Sequence, residues 1–313
     1  MSKLVSVIMT VYNENEELVT KSLNSIINQT YKNIEIIIVL DNPDNKDIKH
    51  LLIRYSELHE NIKLIFNEKN LGVASSLNRA FNIASGEYIA RMDSDDISKN
   101  NRIEKQVTVL DTYKEYDLVS SNCWKIDEKD NIVGEVNVNV SNEKIKKLLL
   151  ISNFLIHPSW LLRRDLFIEL NGYRNFECSQ DYDFLLRMIT KGKKIFLLDE
   201  KLVEYRVREN SISTSRAFKQ YLIARYIKSL YYERKRNNGK DSFSIENLNN
   251  YFKINKLIID EMKFNKSKTI VDLVKSEKTI IKKAIMSFYA ISYSKFSRHM
   301  IGSKIQFNVN KIM

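Results

Sequence analysis

Four apolar runs punctuate the first hundred positions: LVSVIMTV (4–11), IEIIIVL (34–40), IKLIF (62–66) and EYIARM (87–92). Between them the apolar positions take helical spacing, first Leu18, Leu23, Ile26 and Ile27, then Ala74, Leu77, Ala80, Phe81 and Ala84. Near-continuous apolar strands alternating with helices predict a parallel sheet covered on both faces. Right-handed crossovers then bring all the strands' carboxyl ends to one edge. Further on, Ile103, Val107 and Leu110 predict a helix, DLVSSNCWKI (117–126) a strand, and Phe218, Leu222, Tyr226 and Leu230 another helix. After the polar break RKRNNGKDS, helices are expected near 245–263 and 269–290. In the second of these, Ile270, Leu273, Val274, Ile281, Ala284, Ile285 and Phe288 predict a single stripe opposite lysines. The expected organisation is an α/β body in two halves, 1–100 and 101–215, with a helical region over 216–313.

The loops after the first four strands are polar and rich in oxygen: YNEN, DNPDN, NEKNLG and DSDD. They arrive together at the carboxyl edge, where open α/β sheets bind their ligands. The last loop sets Asp93, Asp95 and Asp96 at the end of a buried strand. Carboxylates this close raise one another's pKa unless a positive group sits among them. The loop is therefore either a solvated turn or a cation holder. The chain has neither GxGxxG nor GxxxxGK[ST], and only seven glycines, so a backbone cradle for phosphate is excluded. What remains for neutralising a diphosphate is a hard divalent cation on carboxylate oxygens, Mn²⁺ or Mg²⁺. Asp93-Ser94-Asp95 supplies two carboxylates with one residue between. Alone that spacing is a weak signal, since acidic triplets commonly decorate turns.

At 313 residues and 43% hydrophobic content the chain can fill one large or two modest cores. Its two cysteines, Cys123 and Cys178, lack CxxC spacing, which argues against a disulfide framework or zinc site and for a reducing cytoplasm. No apolar run approaches the roughly 18 residues of a spanning helix. The segment MSKLVSVIMTVYNEN reads as a first strand, not a signal peptide. The net charge of +11 is uneven, with 21 Lys+Arg against 7 Asp+Glu from Arg216 onward. Basic amphipathic helices suit either an anionic membrane surface or a homo-oligomer interface. Nucleic acid is not expected as a partner, because no binding motif accompanies the charge.

VSVIMTVYNE (5–14), IIIVLDN (36–42), NLGVASSLNRAFNIASGEYIARMDSDD (70–96), HPSWLLRR (157–164), GYR (172–174), QDYDFLLRMITKGKKI (180–195) and YRVRENSIS (205–213) follow in order. In these pieces the sequence resembles glycosyltransferase family 2 over roughly residues 4–215, while the tail lies outside the resemblance. The resemblance implies a GT-A fold, a Rossmann-like and mostly parallel sheet flanked by helices, here with a C-terminal helical extension. It also implies an inverting transferase that moves a hexose or N-acetylhexosamine from a UDP-sugar (a dTDP-sugar remaining open) to a hydroxyl. The acceptor is then a lipid-linked or protein-linked glycan of a bacterial surface. The expected location is the cytoplasm, with the inner membrane face open as a docking surface.

Carried onto this chain, the family's roles put Thr10, Tyr12 and Glu14 around the nucleoside, Asp41 on the uracil, and Gly72 and Asn78 over the ribose and diphosphate, with a plain helix-surface role equally open for Asn78. Asp95 becomes the direct metal ligand and Asp93 faces the ribose or donor sugar beside Ser94, while Arg91 admits two roles, pairing with these carboxylates or touching the donor. Asp96 is expected at a helix N-terminus, and Asp183 on a helix surface. Asp181 is the expected general base, because transfer needs an acceptor hydroxyl deprotonated within hydrogen-bond reach. Its neighbour is Gln180 where the family commonly has Glu, which leaves an acceptor contact. His157 and Trp160 each admit two roles, structural core or acceptor contact. Arg208 stands where the family often has histidine. Arginine cannot ligate a cation, but it can grip a diphosphate in bidentate fashion. The rival readings are a catalytically silent nucleotide-sugar-binding or scaffold protein and a nucleotidyltransferase. The latter wants a glycine- and arginine-rich loop that YNENEE does not provide.

Overall fold

A computed structural model describes residues 2–208, 217–258, 261–277 and 279–312 of the chain. Strands β1 (Val5–Val11), β2 (Ile34–Leu40), β3 (Ile62–Phe66) and β4 (Tyr88–Asp93) lie where the apolar runs put them, paired in parallel in the order β3-β2-β1-β4. Helices α1 (Glu16–Ile27), α2 (Lys46–Leu58) and α3 (Val73–Ile83) connect them. Part of the polar character of the loops starts these helices. Asn15 Oδ1 accepts from the Leu18 N–H at 2.9 Å, and Asn45 Oδ1 from Ile48 at 3.2 Å. Gly72 opens α3 at φ +82° with open space where a Cβ would stand, so the backbone conformation, not crowding, requires glycine.

Beyond β4 the sheet becomes mixed. With β5 (Ile97–Ser98), β6 (Leu118–Ile126), β7 (Ile132–Val136), β8 (Leu161–Arg163) and β9 (Ile195–Arg206) the order is β3-β2-β1-β4-β8-β6-β9-β5, and β7 pairs with β6. Short β8 runs antiparallel to both β4 and β6, while β9 is parallel to β6. Residues from both expected halves of the body thus share one sheet, of which only the first four strands are uniformly parallel. Helices α4 (Arg102–Thr112), α5 (Asn142–Leu149), α6 (Arg164–Glu169) and α7 (Gln180–Thr190) and a 3₁₀ turn (His157–Ser159) complete this part of the chain.

Strand β2 is buried along its whole length, Glu35 included at 5% exposure. That carboxylate receives the Ser6 hydroxyl at 2.5 Å, the Ser85 N–H at 2.6 Å, the Ser85 hydroxyl at 2.8 Å and Lys63 at 2.7 Å. Burial pushes its pKa up, but Lys63 and the Ser6 and Ser85 donors outweigh burial and hold it down at about 2.

The described residues form two compact units. One holds 2–142 and 154–208, and with them the sheet. The other holds 143–153 and the helices α8 (Ala217–Arg236), α9 (Ile245–Ile258), α10 (Glu261–Ser276), α11 (Ile280–Tyr293) and α12 (Lys295–Ile312). Its core gathers Phe218, Leu222, Phe264 and Phe296, then Val271, Val274, Ala290 and Ile301. The single stripe expected over 269–290 does not form, because α10 ends at Ser276 and α11 begins at Ile280. Val274 is buried, whereas Leu273, Ile281, Ile285 and Phe288 are exposed. No described helix is long and apolar enough to cross a membrane.

Candidate active site

The carboxyl ends of β2, β1 and β4 are neighbours. Thr10 of β1 stands in register with Val39 of β2 and Asp93 of β4, so Glu14, Asp41 and Asp93-Ser94-Asp95 leave the sheet from adjacent strands. The Tyr12 side chain is exposed, and its backbone N–H donates to Glu14 Oε2 at 2.8 Å. Asp93 pairs with buried Arg91, as expected, and Asp95 Oδ2 lies 2.7 Å from Arg208 Nη2. Ser94 is buried between them in sequence. Burial and the Asp93 carboxylate, with Glu14 adding, push the Asp95 carboxyl up to about 6 against the pull of Arg208. Negative charge at this rim exceeds what the two arginines neutralise.

Asp96 does not begin a helix, contrary to the expectation. The turn runs into β5, and α4 starts only at Arg102. Asp96 is fully buried, its Oδ1 accepts the Arg206 N–H at 2.7 Å, and burial with Asp93 and Asp95 holds its carboxyl well above the usual range. Arg206 went unnoticed in the sequence. Its Nε donates to the Asp95 carbonyl at 2.8 Å, its Nη1 to the Asp127 carbonyl at 2.6 Å, and its Nη2 pairs with Asp130 at 2.6 Å. The backbone that carries Asp95 is therefore fixed from below by a buried guanidinium. Arg102, also unnoticed and fully buried, donates to the carbonyls of Arg91 and Pro158. The Arg-x-Arg spacing at the end of β9 was a usable signal for Arg206; nothing in the sequence marks Arg102.

Asp41 is buried and organises the neighbouring loop. Its Oδ1 accepts from Asn67 Nδ2 at 2.6 Å and the Leu71 N–H at 2.8 Å, and its Oδ2 from the Gly72 N–H at 2.9 Å. A carboxylate oxygen takes two donors, so Oδ2 keeps one acceptor site in addition. Asn78 commits its amide to the 172–174 turn: Nδ2 donates to the Tyr173 carbonyl at 2.8 Å, and Oδ1 accepts the Tyr173 N–H at 2.9 Å. Gly172 closes the same clamp, since a Cβ there would meet Asn78 Oδ1 at 2.5 Å.

His157 is buried and shares a 2.7 Å hydrogen bond with the Tyr173 hydroxyl. Burial, reinforced by the Arg91 guanidinium, drives its pKa well below the usual imidazole range, so the ring is neutral. Trp160 is fully buried, 4.6 Å from the His157 ring and 6.2 Å from Phe184. No face of it is left to stack on a sugar, so of its two expected roles the structure shows core packing. Gln180 is buried at the start of α7, and Asp181 follows it in the first turn, partly exposed. Burial pushes the Tyr173 hydroxyl's pKa up, and the nearby charges of Asp181 and Asp93 add to it against Arg91 and Arg187. Asp183 is fully buried rather than on a surface. It pairs with Arg187 at 2.7 Å, and Arg187 in turn donates to the Leu170 and Gly172 carbonyls. Of YRVRENSIS, residues 209–213 lie outside the described residues.

Chemically, the rim offers a carboxyl whose pKa is raised by burial and then by its negative neighbours, the setting a cation relieves. No group of three or more such ligands occurs among the described residues. That donor set fits a Mn²⁺ or Mg²⁺ held by one or two carboxylates together with substrate phosphates, rather than an all-protein cage.

A sheet that brings three acidic loops and an arginine to its carboxyl edge defines an α/β protein with a ligand-binding rim. The model of Glycosyl transferase family 2 matches residues 6–170, and the chain belongs to that family. It is 38% identical over 234 residues to an uncharacterized glycosyltransferase, MJ1057, of Methanocaldococcus jannaschii, covering 74% of this chain and 81% of that one. It is 33% identical to the Escherichia coli O-antigen biosynthesis glycosyltransferase WbnJ, over 71% of this chain and 87% of the relative. S. aureus TarS, solved with UDP, superposes with a TM-score of 0.58 at 16% identity, over 79% of this chain and 69% of that one. A second TarS structure holds UDP-GlcNAc. The fold is GT-A, and the protein is a glycosyltransferase.

Proposed function

We propose that this glycosyltransferase moves a hexose or N-acetylhexosamine from a UDP-sugar to a hydroxyl of a growing glycan, in bacterial polysaccharide or glycoprotein glycan assembly. The observation that carries the reading is the gathering of Glu14, Asp93 and Asp95 at one rim, where burial and then the neighbouring carboxylates push Asp95 up to about 6 beside an arginine. A rim of that kind calls for a cation and the diphosphate that travels with it. The UDP and UDP-GlcNAc held by TarS support the donor class, and the O-antigen role in WbnJ's name supports a glycan acceptor.

In this account the uracil N–H donates to the free acceptor site on Asp41 Oδ2, while Thr10, Tyr12 and Glu14 border the nucleoside. Asp93, held by Arg91, faces the ribose or donor sugar. Asp95 would hold a divalent cation, which would supply charge stabilisation for the leaving diphosphate. Arg208 adds a second positive group to the same leaving oxygens, so it both restrains Asp95 before binding and assists departure. Asp181 accepts the proton of the acceptor hydroxyl as that oxygen bonds to the anomeric carbon and the bond to diphosphate breaks. One displacement from the face opposite the leaving group inverts the centre. Asn78, Gly172 and the Asp183–Arg187 pair hold the turn that carries Tyr173.

A panel of nucleotide sugars scored by UDP release, with Mn²⁺ or with EDTA, tests the reading. At least one UDP-sugar is expected to turn over with Mn²⁺. Release from no UDP-sugar in the presence of diverse glycan acceptors would count against it.

A further inference from the structure

Helix α11 has two apolar faces with opposite fates. Ala290 is fully buried, and Met286 and Ile291 pack beside it against Val271 and Val274 of α10 and Ile301 of α12. On the other side Ile281 is 73% exposed, Ile285 65%, Phe288 77% and Tyr289 58%. Their i, i+4, i+7, i+8 spacing lines all four along one stripe. Four large side chains in a row cost too much in water to be left there without a partner.

The charge around the stripe says what kind of partner. From Lys278 to the end the chain has seven Lys and Arg and no Asp or Glu. Lys275, Lys283 and Lys304, from three successive helices, approach closely enough that burial and the other two ammoniums together lower the Lys304 pKa. The acidic groups near this corner are already engaged, Asp272 with Lys275 at 2.7 Å and Glu277 with the Thr279 N–H at 2.7 Å. A second copy docked on the stripe would bring another carboxylate-free basic segment against the first, like charge on like charge. An anionic lipid surface would instead meet the lysines with phosphate and the stripe with acyl chain. At 14 residues, about 21 Å, α11 cannot span the roughly 30 Å hydrocarbon layer and must lie along its boundary.

We propose that α11 is a membrane-surface anchor: Ile281, Ile285, Phe288 and Tyr289 insert at the headgroup boundary of an anionic bilayer, and the surrounding lysines pair with its phosphates. The anchor stands apart from the sugar-transfer assignment, because it is read by binding alone, without substrate.

The test is co-sedimentation of the full chain with phosphatidylglycerol-containing vesicles and with pure phosphatidylcholine vesicles, at roughly 50 and 500 mM salt. Wild type is expected to sediment with the anionic vesicles at low salt and to be released at high salt. Ile285→Ser/Phe288→Ser, at exposed positions, is expected to weaken partitioning about 100-fold while leaving the thermal melt unchanged. Lys282→Gln/Lys283→Gln is expected to weaken it less and to flatten the salt dependence. The proposal is overturned if wild type ignores anionic vesicles at low salt, or if the double serine variant binds as wild type does. It is equally overturned if light scattering finds a dimer that the serine variant dissolves, since a second copy would then be what covers the stripe.

Discussion

Glu35 and Asp181 are both carboxylates of the sheet-bearing unit, and they serve different ends. Glu35 is structural. Its folded pKa of about 2 lies below its ordinary value of 4.5, so its contribution to stability is complete above about pH 5 and is lost as pH falls toward 2. The shift corresponds to roughly 3 kcal/mol. Glu35→Gln is therefore expected to cost about that much at pH 7 and to flatten the stability curve between pH 5 and 2, measured by urea unfolding. Parallel wild-type and variant curves would refute the assignment. Asp181, by contrast, is proposed for chemistry. Asp181→Asn should lower sugar transfer by about 100-fold or more while UDP affinity stays within about threefold. Transfer at the wild-type rate would remove it from the base role. Residues of this kind differ in how plainly a sequence announces them. Asp93 and Asp95 stand out because two carboxylates end a long apolar run. Asp183, Arg102 and Arg206 do not, since charged side chains are ordinarily exposed and only the tertiary partners that pay for their burial show otherwise.

Among elements, the turn at 172–174 carries the clearest consequence. It is held by Asn78 on α3 and by Arg187 on α7, and Gly172 allows the close approach with φ +64°. Asn78→Ala leaves the Tyr173 amide and carbonyl without their partner and should destabilise the unit by about 1–3 kcal/mol. Gly172→Ala should cost at least as much, from steric overlap and backbone strain together. If Asn78 is a clamp, UDP affinity of the folded Asn78→Ala protein stays near that of wild type, while loss of UDP affinity without loss of stability would return it to the nucleotide. The parallel strands were legible because near-continuous apolar runs of five to seven residues have few other uses. Strand β8, three residues inserted antiparallel between β4 and β6, is too short to show a period. The break between α10 and α11 was invisible for another reason. Val274 and Ile281 are seven residues apart, in phase with an unbroken helix, and no Gly or Pro marks the interruption.

At the scale of the molecule, the chain divides its work between a sheet unit that presents a carboxylate-rich rim and a basic helical unit that presents an apolar stripe. The first follows from strand topology, because parallel β1, β2 and β4 must deliver their loops to the same edge. The direct test of that rim is isothermal calorimetry of UDP with the full chain, in Mn²⁺ and in EDTA, for wild type and Asp95→Asn. Wild type is expected to bind UDP at least about 10-fold more tightly with Mn²⁺ than without, and Asp95→Asn to lose that difference. Equal affinity for wild type in Mn²⁺ and EDTA, or an Asp95→Asn protein that keeps the full Mn²⁺ effect, would contradict the account.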